Sequence, residues 1–313
     1  MTGKPVVYVV RALPGARWDA VAERFEIRGG GARPAPDWPG AAGGARALAT
    51  TYLDAVTPAV LDRLPGLELV ASYGVGVNHV DLPACRARGV RVTNTPGVLV
   101  RATADMTVAL LLAAARRLAE GDRVIRRGGW IESDPTFLLG TEFSGKTLGV
   151  VGFGQIGQAV ARRAAGFDLR VLYASPRDMG VAGAERVPLD RLLAESDLVA
   201  LCCPLTPETR GLVSRERLAR MKRGAVLVNT SRGPVVDDAA VAEALRSGQL
   251  GAAGLDVFPD EPRVPEAYLG LDNVVLTPHL GSGTRETRAA MTAMVLEELL
   301  RFARGAPALH PVA

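Results

Sequence analysis

The chain has 313 residues, of which 48% are hydrophobic and 22% are charged. A chain of this length can bury two hydrophobic cores, and this composition excludes a disordered protein. The net charge is +4, but the lysines and arginines are scattered along the chain rather than clustered. We therefore expect no nucleic-acid partner, although a mildly basic protein favours anionic substrates and cofactors.

Export and membrane insertion are not expected. The N-terminus enters its first strand without the charged and apolar regions of a signal peptide. The longest clearly apolar run, Val108 to Ala115, is much shorter than a bilayer-spanning helix. The three cysteines, Cys85, Cys202 and Cys203, have neither a disulfide pattern nor metal-ligand spacing. The sequence thus predicts a soluble, cytoplasmic protein without a metal site.

The first hundred residues alternate between short apolar runs and helical patterns. The apolar runs predict strands at Val6 to Val10, Ala47 to Thr51 and Leu67 to Ser72. Helices are predicted at Trp18 to Phe25 and Pro58 to Leu64, with a Gly- and Pro-rich loop from Gly29 to Gly44. This βαβ alternation indicates a first, smaller domain with a parallel sheet.

A turn with two glycines, Tyr73 to His79, follows the third of these strands. Such a turn can offer backbone N–H groups to an anion, and Val75 and Gly76 are the candidates. An ordinary βα loop is an equally good interpretation. Asn78 is predicted to cap a helix that begins near Val80.

The segment from Ala102 to Gly121 has a long helical pattern that is apolar on almost every face. A helix of this kind is buried on several sides, so we expect it to cross between domains or to form a subunit interface. The stretch from Trp130 to Phe143 is predicted to be an exposed arm without regular structure. Together these features predict an oligomer.

A glycine motif organises the second half of the chain. The apolar strand Thr147 to Val151 runs into Gly152-x-Gly154-x-x-Gly157, and a helix is predicted from Gln158 to Gly166. In this setting the glycines allow a tight turn, a close approach of the backbone to a pyrophosphate, and close packing of helix on strand. The motif predicts a dinucleotide site. A βαβ turn without a ligand is the alternative.

Regular alternation of strands and helices continues after the motif. Further strands are predicted at Leu169 to Tyr173, Leu198 to Cys202, Ala225 to Asn229, Gly254 to Val257 and Asn273 to Leu276, which makes six. Helices are predicted at Ser214 to Met221, with Ser214 as the N-cap, and at Asp238 to Ser247, which Gly248 stops. The last helix, Glu286 to Arg304, is long enough to return to the first domain. We expect residues 1–99 and 286–313 to form one domain, with a dinucleotide-binding domain, 100–285, inserted between them.

Candidate catalytic residues follow the predicted strands, because ligands bind at the carboxyl ends of strands in open α/β sheets. His279 lies after the last strand, and an imidazole transfers protons near neutral pH. Glu261 is a candidate carboxylate partner that would stabilise the protonated imidazole, and Asp260 is its rival. Arg232, in the turn after Asn229, has a planar fork suited to a substrate carboxylate. A loop histidine, a solvated acid and a surface arginine are the alternatives without function.

The combined motifs resemble the D-isomer-specific 2-hydroxyacid dehydrogenases over essentially the whole chain. The resemblance lies in the glycine loop after Gly145 to Gly149, in Asn229 to Asp237, in Gly254 to Pro262 and in Pro278-His279, with Tyr73 to Leu82 also included. Within the family, Arg126 to Trp130, Val264 to Glu266 and Gly281 to Thr284 look most like glyoxylate/hydroxypyruvate and hydroxyphenylpyruvate reductases.

The resemblance implies two Rossmann-like parallel-sheet domains, the substrate domain being flavodoxin-like, and reduction of a 2-oxo acid to the D-2-hydroxy acid. It assigns the substrate carboxylate to Arg232 and to the Val75 and Gly76 amides, proton donation to His279, and support of that imidazole to Glu261. Asp256 would orient the nicotinamide carboxamide. The implied cofactor set comprises Gly152, Gly154, Gln155, Ile156, Gly157, Ser175, Arg177, Pro204, Thr230, Ser231, Arg232, Asp256, His279 and Ser282. A homodimer joined through the cofactor domain is also implied.

The residues after the second strand of the cofactor domain favour NADP(H) over NAD(H). An acid at this position normally bonds the ribose 2′-hydroxyl and repels a 2′-phosphate. By resemblance that position is the neutral Ser175, and Arg177 follows two residues later to meet a phosphate. Asp178 would favour NAD(H) instead if a shifted turn brought it to the ribose.

Two alternatives keep the fold but change the function. One is a nucleotide-sensing binding protein, which would bind the cofactor without turnover. The other is an enzyme of the same family with a different substrate, such as an aryl-pyruvate, formate, phosphite or phosphoglycerate. Phe137 and Leu138 in the predicted arm could line a neighbouring subunit's pocket for a larger side chain.

Overall fold

The computed structural model describes residues 3–312. The chain forms two compact units, one ending at Leu99 and resuming at Gly283, the other spanning Val100–Ser282. The sequence placed the second boundary slightly later, after residue 285. Among residues 3–312, none of the helices has the length and apolar character needed to cross a bilayer.

The first unit is built on a five-stranded parallel sheet in the order β2-β1-β3-β4-β5. This is the flavodoxin-like strand order, as predicted. Its strands are β1 (Val6–Val9), β2 (Glu26–Gly29), β3 (Ala45–Thr51), β4 (Leu69–Tyr73) and β5 (Arg91–Thr93). Its first four helices are α1 (Asp19–Ala22), α2 (Trp38–Ala41), α3 (Pro58–Asp62) and α4 (Leu82–Ala87).

Two predictions for this unit were wrong. The predicted loop Gly29 to Gly44 contains α2, and the strand β2 precedes it. β2 is an edge strand with mostly exposed side chains, so it lacks the apolar pattern by which a strand is recognised. The cap of α4 is Asp81 rather than Asn78, because an Asp81 carboxylate oxygen accepts a 2.8 Å hydrogen bond from the Ala84 N–H.

The second unit contains a seven-stranded parallel sheet in the order β12-β11-β10-β9-β6-β7-β8. Counted within this unit from β6, the order is that of a doubly wound dinucleotide fold with a further strand, β12, at one edge. The prediction of six strands missed β8, which is a three-residue edge strand with two exposed side chains. The strands are β6 (Thr147–Val151), β7 (Arg170–Ala174), β8 (Ala184–Arg186), β9 (Leu198–Leu201), β10 (Ala225–Asn229), β11 (Leu250–Leu255) and β12 (Val274–Leu276).

Helices cover both faces of this sheet, and each face has its own apolar core. They are α5 (Val100–Ala115), α6 (Leu118–Arg126), α7 (Gln155–Ala164), α8 (Leu189–Glu195), α9 (Arg215–Arg220), α10 (Asp238–Arg246) and α11 (Glu266–Leu269). Ser214 occupies the N-cap position of α9 as predicted, but its hydroxyl donates to the Glu216 carboxylate instead of accepting from the helix.

The single helix predicted over Ala102 to Gly121 was wrong. The structure has two helices, α5 and α6, separated at Arg117, whose φ of 53° is left-handed. α5 packs on α7 and on strands β10 and β11 of its own unit. This packing explains why α5 is apolar on several faces without any neighbouring subunit. The arm from Trp130 to Phe143 has no helix or strand, and Trp130, Ile131 and Leu139 on it are exposed.

The last helix, α12 (Arg285–Ala303), belongs to the first unit, where it packs on β4 and α1. Thr284 caps it by accepting a 3.1 Å hydrogen bond from the Thr287 N–H. The chain thus leaves the first unit, builds the whole second unit and returns.

Candidate active site

The glycine loop after β6 has the geometry of a phosphate cradle. Gly152 has a φ of 88°, and a Cβ there would lie 2.5 Å from the backbone of Cys203. A Cβ on Gly157 would lie 2.3 Å from the Gly152 carbonyl oxygen, so both positions require glycine. A Cβ on Gly154 would point into open space. Gly154 therefore leaves the backbone accessible, as a pyrophosphate requires.

Helix α7 begins at Gln155, three residues before the predicted start at Gln158, with Gly154 at its N-cap. The N–H groups of Gln155 and Ile156 therefore belong to the first helical turn, where N–H groups have no intrahelical partner and the helix dipole favours an anion. These residues fit the pyrophosphate of a dinucleotide.

A cavity of about 650 Å³ adjoins this loop and extends along the carboxyl end of β7. Ser175 and Asp178 line it, together with Arg186 from β8. The residues that line it do not include Arg177, which is exposed. Asp178 is held by the Tyr173 hydroxyl at 2.5 Å and by the Gly180 N–H at 3.0 Å. The hydrogen bond from Tyr173, followed by that from Gly180, lowers the pKa of the Asp178 carboxyl.

The turn after β10 is organised by Asn229, whose role the sequence prediction missed. Its side-chain oxygen accepts from the N–H and the hydroxyl of Ser231, at 3.0 and 2.8 Å. Its amide nitrogen donates to the Arg232 carbonyl at 2.9 Å. An asparagine that bonds the backbone two residues later forms an Asx-turn, so Asn229-Thr230-Ser231 carried a usable signal. The half-buried Arg232 side chain also donates from Nη1 to the Ser231 carbonyl at 2.6 Å.

His279 and Glu261 form a hydrogen-bonded pair. His279 Nδ1 lies 2.7 Å from Glu261 Oε2, and the two side chains are only 18% and 15% exposed. The other Glu261 oxygen accepts from the Phe258 N–H at 3.0 Å. Asp260, the rival carboxylate, instead pairs with Arg263 at 2.6 Å and is 70% exposed.

The pKa of Glu261 depends on His279 and on the charge of Arg232. Burial, the largest single influence, would raise the pKa of the Glu261 carboxyl, but the hydrogen bond and charge of His279 act against it, and the net effect of all its neighbours is to lower the pKa. The Phe258 N–H and the positive charge of Arg232 lower the pKa further. Glu261 is therefore a carboxylate near neutral pH, and because an ionised carboxylate can only accept a hydrogen bond, Nδ1–H is the donor.

Asp256 holds the loop that carries His279. It follows β11 and is fully buried. One carboxylate oxygen accepts from the Thr277 hydroxyl and the Leu280 N–H, both at 2.6 Å, and the other accepts from the Gly281 N–H at 2.8 Å. The His279 N–H donates to the Asp256 carbonyl at 2.9 Å. These bonds support the left-handed backbone of His279, whose φ is 54°. The role implied by resemblance, orientation of a carboxamide, remains a prediction.

The sequence-predicted cofactor residues lie in the second unit, in loops at the carboxyl ends of its strands or in the first turn of α7. Thr230 and Ser231 are buried there, and the Thr230 hydroxyl lies 2.7 Å from that of Thr107 on α5. The Pro204 carbonyl accepts from Thr209, which lines the cavity. Ser282 is half-buried, three residues after His279.

Val75 and Gly76 lie in the first unit, in the loop after β4. The Val75 carbonyl accepts from the Asn94 amide at 2.8 Å, which fixes this loop to the segment after β5. The Val75 side chain is 39% exposed. The loop is therefore anchored through its carbonyl side, and binding of a carboxylate by its N–H groups remains a prediction.

Comparison with known proteins identifies the family. Residues 108–281 match the family profile of the D-isomer specific 2-hydroxyacid dehydrogenase NAD binding domain. The chain is 44% identical to a glyoxylate reductase of Pyrococcus furiosus, with 96% of this chain and 93% of that protein covered. It is 46% identical to a hydroxyphenylpyruvate reductase of Plectranthus scutellarioides, with 81% and 80% covered.

A solved structure has the same fold. It is an NADPH-dependent glyoxylate/hydroxypyruvate reductase from Sinorhizobium meliloti in complex with NADP and malonate, 33% identical, with a TM-score of 0.89 and coverage of 99% of this chain and 97% of that one. The cradle around Gly152, the matched domain and these relatives agree on an oxidoreductase that uses a nicotinamide dinucleotide. The chain belongs to the D-isomer-specific 2-hydroxyacid dehydrogenase family.

Proposed function

We propose that the protein reduces a small 2-oxo acid of the glyoxylate or hydroxypyruvate type to the D-2-hydroxy acid, with NADPH as the preferred reductant. The observation that carries this proposal is the half-buried His279–Glu261 pair, with the charge of Arg232 close enough to lower the pKa of Glu261. A proton donor and a cation for a carboxylate are the two groups that reduction of a 2-oxo acid requires.

Arg232 holds the substrate by its carboxylate in this proposal. A guanidinium offers two parallel N–H groups to the two oxygens and stays charged at every relevant pH. Holding this end of the substrate fixes the position of C2, the carbon that is reduced.

His279 supplies the proton. When bound, NADPH supplies a hydride to C2 of the substrate. As charge develops on the keto oxygen, the protonated imidazole donates from Nε2, because Nδ1 is engaged with Glu261. Glu261 keeps the Nδ1 proton in place and stabilises the cationic imidazole before transfer. In the reverse direction the same Nε2 accepts the proton of the hydroxyl group.

The choice of NADPH rests on the turn after β7. Ser175 is neutral at the position where an acid would favour NAD(H), and the basic Arg177 follows it. We assign Gly152, Gly154, Gln155, Ile156 and Gly157 to the pyrophosphate. The remaining proposed cofactor contacts are Pro204, Thr230, Ser231, Arg232, Asp256, His279 and Ser282.

We also propose a homodimer joined through the second unit. Helix α6 and the arm expose large apolar side chains, Leu118, Ile125, Trp130, Ile131 and Leu139, of which Ile131 is 88% exposed. Exposed apolar side chains this close together along the chain are typical of an interface. All three cysteines are free thiols, which suits the reducing cytoplasm that we propose as the location.

The experiment that tests the function is a comparison of initial rates. Glyoxylate, hydroxypyruvate and hydroxyphenylpyruvate are each supplied with NADPH and with NADH. We expect the highest kcat/KM with one of the two small acids and NADPH. A preference for hydroxyphenylpyruvate would favour the aryl-pyruvate alternative, to which the relative from Plectranthus points. Tight cofactor binding without oxidation of NADPH or NADH by any 2-oxo acid would support a nucleotide sensor and overturn the proposal.

A further inference from the structure

Arg186 lies outside both the glycine motif and the turn after β7, the segments from which the sequence predicts contacts to the pyrophosphate and to the ribose. It is the last residue of the edge strand β8, whose parallel pairing sets Arg186 opposite Tyr173 of β7. From there its side chain reaches the turn that follows β7. Its Nε donates to the Ser175 carbonyl at 3.1 Å and its Nη2 to the Pro176 carbonyl at 2.9 Å. The guanidinium thus lines the cavity of about 650 Å³ beside Gly152 and Ser175.

These two bonds leave the guanidinium with further donors. A guanidinium has five N–H groups in a rigid fork, and the bonds to Ser175 and Pro176 use two of them. The bonds also fix the side chain, so little side-chain entropy is lost when an anion binds. A guanidinium held in this way against a cavity is suited to a phosphate dianion.

We propose that Arg186 binds the 2′-phosphate of NADPH and thereby determines the cofactor preference of the enzyme. The inference rests on the proposed function, because it assumes that the adenosine end of the cofactor occupies this cavity. It changes the assignment made from the sequence, in which Arg177 was the phosphate partner. Arg177 is next to Pro176 in the turn, but Arg186 is the arginine that lines the cavity.

The two acids that line the cavity have partners of their own. Asp178 accepts from the Tyr173 hydroxyl and the Gly180 N–H, and Tyr173 is in turn fixed by stacking on Phe153 at 3.9 Å between ring centroids. The Glu208 carboxylate is hydrogen-bonded by the Thr206 side chain. Both bonds to Asp178 end on the same oxygen, Oδ1, and tie the carboxylate to β7. Arg186 also lies close enough to Asp178 for its charge to compensate that carboxylate.

The test compares adenosine nucleotides with and without the 2′-phosphate. Binding of 2′,5′-ADP and of 5′-AMP is measured by calorimetry on the wild type, Arg186→Met, Arg186→Lys and Arg177→Met. We expect Arg186→Met to weaken 2′,5′-ADP binding about tenfold or more while 5′-AMP binding changes less than threefold. Arg186→Lys keeps the charge but loses the fork, so its affinity for 2′,5′-ADP should lie between those of the wild type and Arg186→Met. Arg177→Met should have the smaller effect on 2′,5′-ADP. The ratio of kcat/KM for NADPH to that for NADH should fall in parallel in Arg186→Met.

Other results would overturn the inference. If Arg186→Met weakened binding of 2′,5′-ADP and of 5′-AMP equally, Arg186 would only hold the turn. If Arg177→Met weakened 2′,5′-ADP binding more than Arg186→Met did, Arg177 would be the residue that binds the phosphate. If Asp178→Asn strengthened 2′,5′-ADP binding tenfold, the carboxylate would be the determinant instead. A wild type that binds 5′-AMP as tightly as 2′,5′-ADP would also contradict the inference. The proposed reductase activity would stand separately, provided that NADH reduced a 2-oxo acid. If Arg186→Met does not fold, Arg186→Lys gives the same comparison.

Discussion

His279 Nδ1 lies 2.7 Å from Glu261 Oε2, and in the proposed mechanism this contact determines which nitrogen of the imidazole exchanges a proton with the substrate. Glu261 is ionised near neutral pH, since His279 and the Phe258 N–H lower the pKa of its carboxyl despite burial. An ionised carboxylate accepts, so Nδ1 carries a proton in both charge states of the ring. In the proposed mechanism Nε2 is therefore the nitrogen that gains and loses the proton.

Replacing His279 with glutamine should abolish most turnover while weakening cofactor binding far less. Removal of a general acid typically lowers the rate by a factor of roughly 10² to 10⁴, and we expect a fall of this size in kcat. The measurement is steady-state kinetics together with a fluorescence titration of NADPH. An undiminished kcat would show that another group donates the proton.

Replacing Glu261 with glutamine should lower kcat more than it changes the KM for the 2-oxo acid. Without the carboxylate, the hydrogen bond that orients the imidazole through Nδ1 is weakened, and the protonated imidazole loses its charged partner. The measurement is steady-state kinetics of reduction with NADPH. An unchanged kcat would mean that Glu261 has no part in orienting His279.

The same pair predicts a pH dependence of stability. The pKa of Glu261 is lower in the folded protein than its ordinary value of 4.5. The unfolded chain therefore binds the proton first, so the contribution of Glu261 is present above pH 4.5 and is lost as the pH falls through the folded pKa. Urea unfolding of the wild type and of Glu261→Gln should differ most above pH 4.5, and the difference should shrink on acidification. A difference that grew at low pH would contradict this assignment.

Arg232 should control binding of the substrate carboxylate. Hydrogen bonds to a charged partner contribute roughly 1.5–3 kcal/mol, so we expect Arg232→Ala to raise the KM for the 2-oxo acid at least tenfold. Arg232→Lys should recover only part of the loss, because an ammonium lacks the planar fork. Arg263→Ala is the matched control, since Arg263 is 81% exposed and pairs with Asp260. If Arg232→Ala and Arg263→Ala raised the KM equally, the loss of one positive charge from the protein would explain the effect, and Arg232 would have no specific role.

Much of the fold could be predicted because buried parallel strands are short apolar runs. β6 and β10 lie at the predicted bounds, and the strand-end rule then selected the turn at Arg232 and the loop at His279. The edge strands β2 and β8 could not be found this way, because their side chains are mostly exposed. The break between α5 and α6 could not be predicted either, because an arginine with positive φ, such as Arg117, has no sequence signature.

The supporting contacts of the site depend on residues that are far apart in the chain. The partners of the Asp256 carboxylate, Thr277 and Gly281, lie 21 and 25 residues later. The link from Arg186 to Ser175 spans 11 residues and starts from a strand that was not predicted. Motif spacing predicts which residues contact ligands, but the contacts that hold those residues in place become visible only in the fold.

Asp256 should hold the His279 loop through the hydrogen bonds that its carboxyl oxygens accept. In Asp256→Asn an NH₂ group must face either the Gly281 N–H or the Thr277 hydroxyl and Leu280 N–H. We expect a loss of about 1–3 kcal/mol in the free energy of unfolding, together with a fall in kcat as the loop shifts. Thr277→Val removes one of these bonds and should cost about 0.5–1.5 kcal/mol. Denaturant unfolding and kcat measured on both variants provide the check, and an Asp256→Asn variant as stable as the wild type would contradict it.

Substitutions at two glycines of the cradle should separate an effect on stability from an effect on cofactor binding. A Cβ on Gly157 would lie 2.3 Å from the Gly152 carbonyl oxygen, so Gly157→Ala must displace backbone and should lower the melting temperature. A Cβ on Gly154 meets nothing within 4 Å, so Gly154→Ala should keep the melting temperature of the wild type. The added methyl group would project where the pyrophosphate approaches, so its Kd for NADPH should rise about tenfold or more. Gly166→Ala is the control, because its Cβ is also unhindered but lies beyond the opposite end of α7. If Gly154→Ala bound NADPH as tightly as Gly166→Ala, the dinucleotide would not lie over this turn, and the assignment of the cradle would be wrong.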